Sequence, residues 1–262
     1  MGTTYLDAII AAHRAHAAQD DRSWRDRLGT VTYEGPSMLQ ALRATTGRTK
    51  VIAEVKRRSP SKGDLFVGLN PAEVATTYVQ NGVTAISVLT DEDFFGGSVD
   101  DLRTVAGVVD VPLLRKDFTV SENDVLDAAA IGASTVLLIV AALSDIELRS
   151  FMSVADSCGI DALVEVHDHE EAKRAMDLGA RIIGVNQRSL HTFTVDTTLA
   201  EEVSASLPKD VVRICESGLK TVGDVERASA AGFHAVLVGE TFVTSTSMAD
   251  TVREFTSVSE SQ

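Results

Sequence analysis

From Lys50 onward a single unit recurs along this chain. An apolar, β-branched stretch leads into a loop, then a helical pattern, then a glycine that stops the helix just before the next apolar stretch. The stretches fall near residues 50–56, 83–90, 112–118, 135–140, 161–166, 181–186, 211–217 and 235–240. The stops are Gly82, Gly132, Gly159, Gly179 and Gly232, each placed as a glycine just past a helix end. Helix starts are written too: Asn70-Pro71 with Glu73 reads as an N-cap followed by proline, and Ser144 with Glu147 reads as a capping box. Apolar strands alternating with helices imply parallel pairing with the helices outside. Eight units in 262 residues predict an α/β fold, the (β/α)8 TIM barrel. A doubly wound open sheet is the competing architecture, but no G-x-G-x-x-G follows the first strand.

Ahead of the repeat lies an added helical segment. Leu6, Ile9, Ile10, His13 and Ala17 share one face, which predicts a helix over residues 3–28. A turn at Gly35-Pro36 and a short helix from Ser37 to Thr45 follow. With no linker or low-complexity tract, residues 1–262 read as a single barrel domain, with 1–48 as its N-terminal helical extension.

The formal charge of −14 argues against nucleic-acid and anionic-membrane binding. No apolar run approaches the ~20 residues that span a bilayer. The N-terminus carries neither a secretory nor a myristoylation pattern, since Leu6 stands where the latter needs Ser or Thr. Cys158 and Cys215 are far apart and read as buried, reduced thiols of a cytoplasmic protein.

In such a barrel, chemistry sits where the strands end. The first strand ends in Glu54 and Lys56, the third in Lys116, the fifth in Glu165, the sixth in Asn186 and the seventh in Glu216. Glu54 and Lys56 lie two apart and so share a face. Charges embedded in Leu113-Leu114-Arg115-Lys116 and Leu163-Val164-Glu165 are costly to bury without partners. Alternate strands feed one interior layer, so three carboxylates and two ammoniums are expected to converge. Crowding spreads the pKa values of such groups, which lets an acid and a base coexist near neutrality. Glu216-Ser217-Gly218 and Val238-Gly239-Glu240 place glycine after the last two strands, a frequent phosphate site in these barrels. A phosphorylated small molecule is the expected ligand. The loop Asp91–Ser98 carries Phe94 and Phe95, which either wall a planar group or simply pack. His167-Asp-His169 lacks a nearby third metal ligand and reads as a loop entering a helix; His13, His16, His191 and His234 form no constellation.

Taken together, Glu54-Val-Lys-Arg-Arg-Ser-Pro-Ser-Lys62, Phe95-Gly-Gly-Ser98, Leu114-Arg-Lys-Asp-Phe118, Leu163-Val-Glu-Val166, Gly184-Val-Asn-Gln-Arg188 and Glu216-Ser-Gly218 closely resemble the indole-3-glycerol phosphate synthases of tryptophan biosynthesis. The resemblance runs from about residue 5 to 245. It implies closure of a pyrrole ring on 1-(2-carboxyphenylamino)-1-deoxyribulose 5-phosphate with loss of carbon dioxide and water, without metal or organic cofactor. Lys116 matches the family's general acid, and Glu165 its general base or cation stabiliser. Lys56 and Glu54 match the pair near the departing hydroxyl, while Asn186 and Glu216 match orienting groups. Arg188 and Ser59 match groups near the substrate carboxylate, Phe95 and Phe118 flank the aromatic ring, and Ser217, Gly218, Gly239 and Glu240 line up with the phosphate loops. Glu240 departs from relatives with serine there, so only its backbone N–H is expected to bind while the side chain turns away. A monomer or weak homo-oligomer is expected.

Two alternatives remain at this stage. One is a phosphoribosylanthranilate isomerase-like barrel, whose acid–base pair is a Cys and an Asp; here Glu54 and Lys56 end the first strand and Cys215 alternates away from Glu216. The other is a non-catalytic phosphosugar-binding barrel, which has no need for buried acids and bases.

Overall fold

The computed structural model describes residues 4–60, 62–189 and 194–260. Eight strands form a closed, all-parallel barrel: β1 (Lys50–Val55), β2 (Ala85–Leu89), β3 (Leu113–Lys116), β4 (Thr135–Ile139), β5 (Asp161–Val166), β6 (Ile182–Asn186), β7 (Val212–Glu216) and β8 (Ala235–Val238). β8 closes the ring by pairing with β1, Lys50 opposite Ala235. Three helices precede β1: α1 (Tyr5–Ala17), α2 (Trp24–Arg27) and α3 (Met38–Arg43). The others follow their strands: α4 (Pro71–Gln80), α5 (Val99–Ala106), α6 (Glu122–Ala130), α7 (Asp145–Cys158), α8 (His169–Asp177), α9 (Thr197–Ser206), α10 (Val222–Ala230), α11 (Glu240–Val243) and α12 (Met248–Thr256). Ser61 of the motif after β1, and His191, lie outside the described residues.

The (β/α)8 expectation holds, and its punctuation is physical. Asn70 caps α4 through Ala72 and Glu73 with Pro71 at the first position, and Ser144 and Glu147 close a reciprocal box on α7. All five stopping glycines sit at positive φ, between 76° and 95°. A β-carbon would strain each of them.

Strand parity sorts the side chains into two sets. Val51, Ala53 and Val55 of β1 face the helices, as do Val164 and Val166 of β5 and Cys215 of β7. Ile52, Leu114, Leu163, Ile182 and Ile214 fill the interior instead. Met38, Leu39 and Leu42 of α3 join that interior set and close the barrel's floor. Asp161, the first residue of β5, fixes α3 there by accepting from the Ser37 hydroxyl at 2.8 Å and from Leu39 N–H at 3.0 Å.

The helix expected over residues 3–28 is in fact two. α1 ends at Ala17, and Asp20 accepts from both the backbone and the guanidinium of Arg22 before Ser23 caps α2. Such local side-chain bonds compete with helix continuation. The segment descends the outside of the barrel: Arg14 of α1 meets Glu147 beside the mouth, Arg22 and Arg27 grip Asp127 of α6, and Tyr33 N–H bonds to Cys158 at the lower end of α7. Among the described residues no helix is long and apolar enough to cross a membrane.

Candidate active site

Interior parity continues to the strand ends and there changes chemistry. Two residues beyond Ile52 stands Glu54; beyond Leu114, Lys116; beyond Leu163, Glu165; beyond Ile214, Glu216. The spacing carries each charge onto the same inner wall, one layer nearer the mouth. Register aligns them further, with Glu165 opposite Gly184 and Asn186 opposite Glu216.

At the centre Lys116 Nζ donates to Glu165 Oε2 at 2.6 Å and to Glu216 Oε2 at 2.8 Å. Both carboxylates are almost fully buried, at 2% and 1% exposure, so the ammonium is what makes their charge tolerable. Asn186 Nδ2 donates to Glu165 Oε1 at 3.2 Å, and its own Oδ1 accepts from the Ser217 hydroxyl at 2.8 Å. Glu216 Oε1 finds no hydrogen-bond partner among the described residues. A second pair lies alongside, with Lys56 Nζ 3.0 Å from Glu54 Oε1.

The environment separates these groups electrically. Burial works against the charge of Lys116, but Glu165, Glu216 and Glu54 outweigh it and hold the ammonium above its usual range. Burial likewise disfavours the Glu165 carboxylate, yet Lys116 and His167 draw it well below the ordinary value. Glu216 goes the other way: burial and the neighbouring Glu165, against Lys116, push it up to about 7. One cavity thus holds a firm ammonium, a firm carboxylate and a carboxyl that titrates near neutrality, which is the separation acid–base chemistry needs.

These residues line a cavity of about 600 Å³ at the C-terminal ends of the strands, within the range of small-molecule sites. Its wall includes Glu54, Lys56, Ser59, Phe95, Lys116, Phe118, Glu165, Asn186, Arg188, Glu216, Ser217, Gly218, Gly239 and Glu240. Each of the catalytic and substrate-binding candidates matched in the sequence thereby lies on the wall of one cavity. Phe95 and Phe118 face each other at 6.1 Å, and Lys56 Nζ lies 5.7 Å from the Phe95 ring. Phe94 instead packs edge-on against Tyr5 at 5.8 Å, so of the two adjacent aromatics Phe95 forms wall and Phe94 packs the loop. The Ser59 hydroxyl is buried without a partner among the described residues.

Beside β7 and β8 the wall becomes backbone. Ser217 and Gly218 both take left-handed conformations, φ 68° and 74°, and Gln187 Nε2 donates to Ser217 C=O at 2.7 Å. The Thr241 hydroxyl donates to Leu219 C=O at 2.7 Å, tying the two loops into one concave edge. The Glu240 side chain is engaged by Lys62 across the mouth.

Two histidines were not legible as site residues. His13 was expected to join no constellation, yet its Nε2 lies 2.9 Å from Asp91 and 3.9 Å from Asp117, and its ring packs on Phe118 at 5.4 Å. Asp91 also accepts from Phe94 and Phe95 N–H, and Asp117 from Arg115 and Thr90, so the cluster orders the loops that carry Phe95 and Phe118. His167 reaches Glu165 and Glu171, whereas Asp168 caps α8 and His169 begins it. Cys158 and Cys215 are both buried free thiols, and burial next to Glu216 pushes Cys215 up to about 12.

A family model described as indole-3-glycerol phosphate synthase matches residues 6–255. Curated relatives carrying that description include one from a Nocardioides species, 49% identical over 97% of this chain and 98% of the relative. Another, from an Arthrobacter species, is 48% identical over 81% of this chain and 78% of the relative. Among solved structures, an N-acetylmannosamine-6-phosphate 2-epimerase from Clostridium perfringens superposes with a TM-score of 0.60 at 16% identity, covering 81% of this chain and 93% of its own. That likeness concerns the barrel alone.

Proposed function

The chain belongs to the indole-3-glycerol phosphate synthase family, and on that premise we propose how its residues close the indole ring. The reaction is that of a carbon–carbon lyase: 1-(2-carboxyphenylamino)-1-deoxyribulose 5-phosphate gives indole-3-glycerol phosphate, carbon dioxide and water. As the ring carbon bearing the carboxylate attacks the ketone, negative charge gathers on the ketone oxygen. Lys116 delivers a proton there; a firmly protonated ammonium still yields to an incipient alkoxide, which is far more basic. The benzene ring regains its aromaticity as the carboxylate leaves as carbon dioxide. Glu165 meets the positive charge that develops on the anilino nitrogen and, as base, receives the proton lost when the pyrrole double bond forms. Lys56, with Glu54 beside it, assists the hydroxyl that departs as water.

Asn186 and Glu216 orient the closing ring. Arg188 and Ser59 hold the carboxylate end, where a guanidinium fork suits a planar anion. Phe95 and Phe118 flank the aromatic ring, and the backbone at Ser217, Gly218, Gly239 and Glu240 receives the phosphate. The single supporting observation is Lys116 held between two buried carboxylates at 2.6 and 2.8 Å in the mouth of the barrel.

No cofactor or metal enters this scheme. The same reading treats residues 1–262 as one domain with 1–48 as its extension, acting in the cytoplasm as a monomer or weak homo-oligomer without nucleic-acid or membrane partners. The test is incubation with the anilino-deoxyribulose phosphate while following indole fluorescence. Turnover that survives a chelator supports the scheme; a folded protein that leaves the substrate unchanged overturns it.

A further inference from the structure

Glu165 has a cation on each side. Its Oε2 takes the Lys116 ammonium, while Oε1 lies 3.4 Å from Nε2 of His167, long for a hydrogen bond but within ion-pair reach. His167 follows Glu165 by two residues, just past the end of β5 at Val166, so the chain turns its ring back toward that carboxylate. Asp168 then caps α8, and Glu171 in the first turn folds under the imidazole. Glu171 Oε2 accepts from His167 backbone N–H at 2.7 Å and lies 3.1 Å from Nδ1. The His167 side chain is only 14% exposed. Among the described residues, the charged groups facing the ring are Glu165 from β5 and Glu171 from α8, with Lys116 of β3 beyond Glu165. Burial opposes charge on the imidazole, but Glu165 and Glu171 overcome it and raise its pKa to about 10. The result is a ladder of alternating charge: Glu171, His167, Glu165, Lys116, Glu216.

We propose that His167 is a positioning residue, the second cation that keeps Glu165 ionised and aimed while Lys116 gives up its proton. This rests on the acid role assigned to Lys116. Once Nζ has passed its proton to the substrate oxygen, the amine is neutral and two buried carboxylates have lost the cation they shared. Like charges so placed cannot both persist. Glu216, already near neutrality, absorbs the imbalance by taking a proton from solvent. Glu165 keeps His167 and stays a carboxylate, ready for the positive charge on the substrate nitrogen. With a neutral residue at 167 the two carboxyls compete for that proton, and a fraction of molecules carries Glu165 in its protonated, ineffective form.

The experiment compares the intact protein with His167→Gln and Glu171→Gln, following turnover of the anilino-deoxyribulose phosphate across pH. Gln preserves a donor of similar reach but carries no charge. In His167→Gln, kcat falls roughly 10–100-fold, the scale seen when a partner behind a catalytic ligand is lost, while KM changes much less. The acid limb of the kcat profile moves to higher pH, because a carboxylate deprived of a cation holds its proton longer. Glu171→Gln shifts the limb the same way by less. Unchanged kcat and an unmoved limb in His167→Gln, with the parent active, overturn the proposal; an inactive parent overturns the functional reading instead. Should His167→Gln fail to fold, ¹⁵N NMR of the parent decides: an imidazolium at about pH 8 supports the proposal and a neutral ring overturns it.

Discussion

A β-carbon on Gly184 would fall 1.9 Å from Oε1 of Glu216 and 3.1 Å from a methyl of Leu163. Gly184 lies on β6, between the strands that carry Glu165 and Glu216, and the room left by its missing side chain is where the Glu216 carboxyl rests. Gly184→Ala therefore displaces Glu216 from Lys116. Overpacking of this kind costs about 1–3 kcal/mol, and the unfolding midpoint is expected to drop accordingly. Turnover is expected to fall further than stability alone explains. A variant with parental kcat would mean that Glu216 works from another position.

Lys116→Ala is expected to fold and to lose about 10²–10⁴-fold in kcat, the usual worth of a positioned general acid. Removing the ammonium leaves Glu165 and Glu216 facing each other, and one of them takes up a proton rather than remain charged. The variant's stability deficit should consequently widen as pH rises, read by thermal unfolding at several pH values. Near-parental ring closure would refute the acid assignment.

The pH dependence of Glu216 has a definite sign. Its folded-state pKa is raised from 4.5 to about 7, so the folded state holds this proton more tightly than the unfolded chain. The resulting stabilisation is fully present below about pH 4.5 and is lost as pH rises through about 7. Relative to Glu216→Gln, which cannot ionise, the parent protein should lose unfolding midpoint across that window. A difference that stays flat would place the carboxyl among ordinary acids.

Lys62 and Glu240 close the mouth from opposite loops, and both are partly exposed, 54% and 27%. An ion pair in that setting is worth about 0.2–1 kcal/mol by double-mutant cycle, and Lys62→Ala with Glu240→Ala should return a value in that range. Because a carboxylate repels phosphate, Glu240→Ala should leave KM unchanged or slightly lower. A rise of about tenfold, or 1.4 kcal/mol, would show that the carboxylate itself contacts substrate.

Much of this architecture was written locally. The glycine stops and helix caps declare themselves within a few residues, and strand parity carries Glu54, Lys116, Glu165 and Glu216 two positions beyond apolar interior residues. What stayed hidden depends on distance along the chain. His13 meets Asp91 across 78 residues, a separation that no local pattern encodes. The break between α1 and α2 falls in Gln19-Asp-Asp-Arg-Ser23, where no apolar residue continues the stripe and the Asp20–Arg22 bonds end the helix. His167 does carry a signal, since it stands two residues beyond Glu165 and so shares its face.

The prelude to β1 touches both ends of the barrel, with His13 bound at the rim and Leu42 seated in the floor. A ligand that tightens the rim around Phe118 should make the whole leading segment harder to peel away. Protease nicking of the stretch between α1 and α3 would then slow when substrate is bound, so that cleavage on the outer surface reports occupancy within.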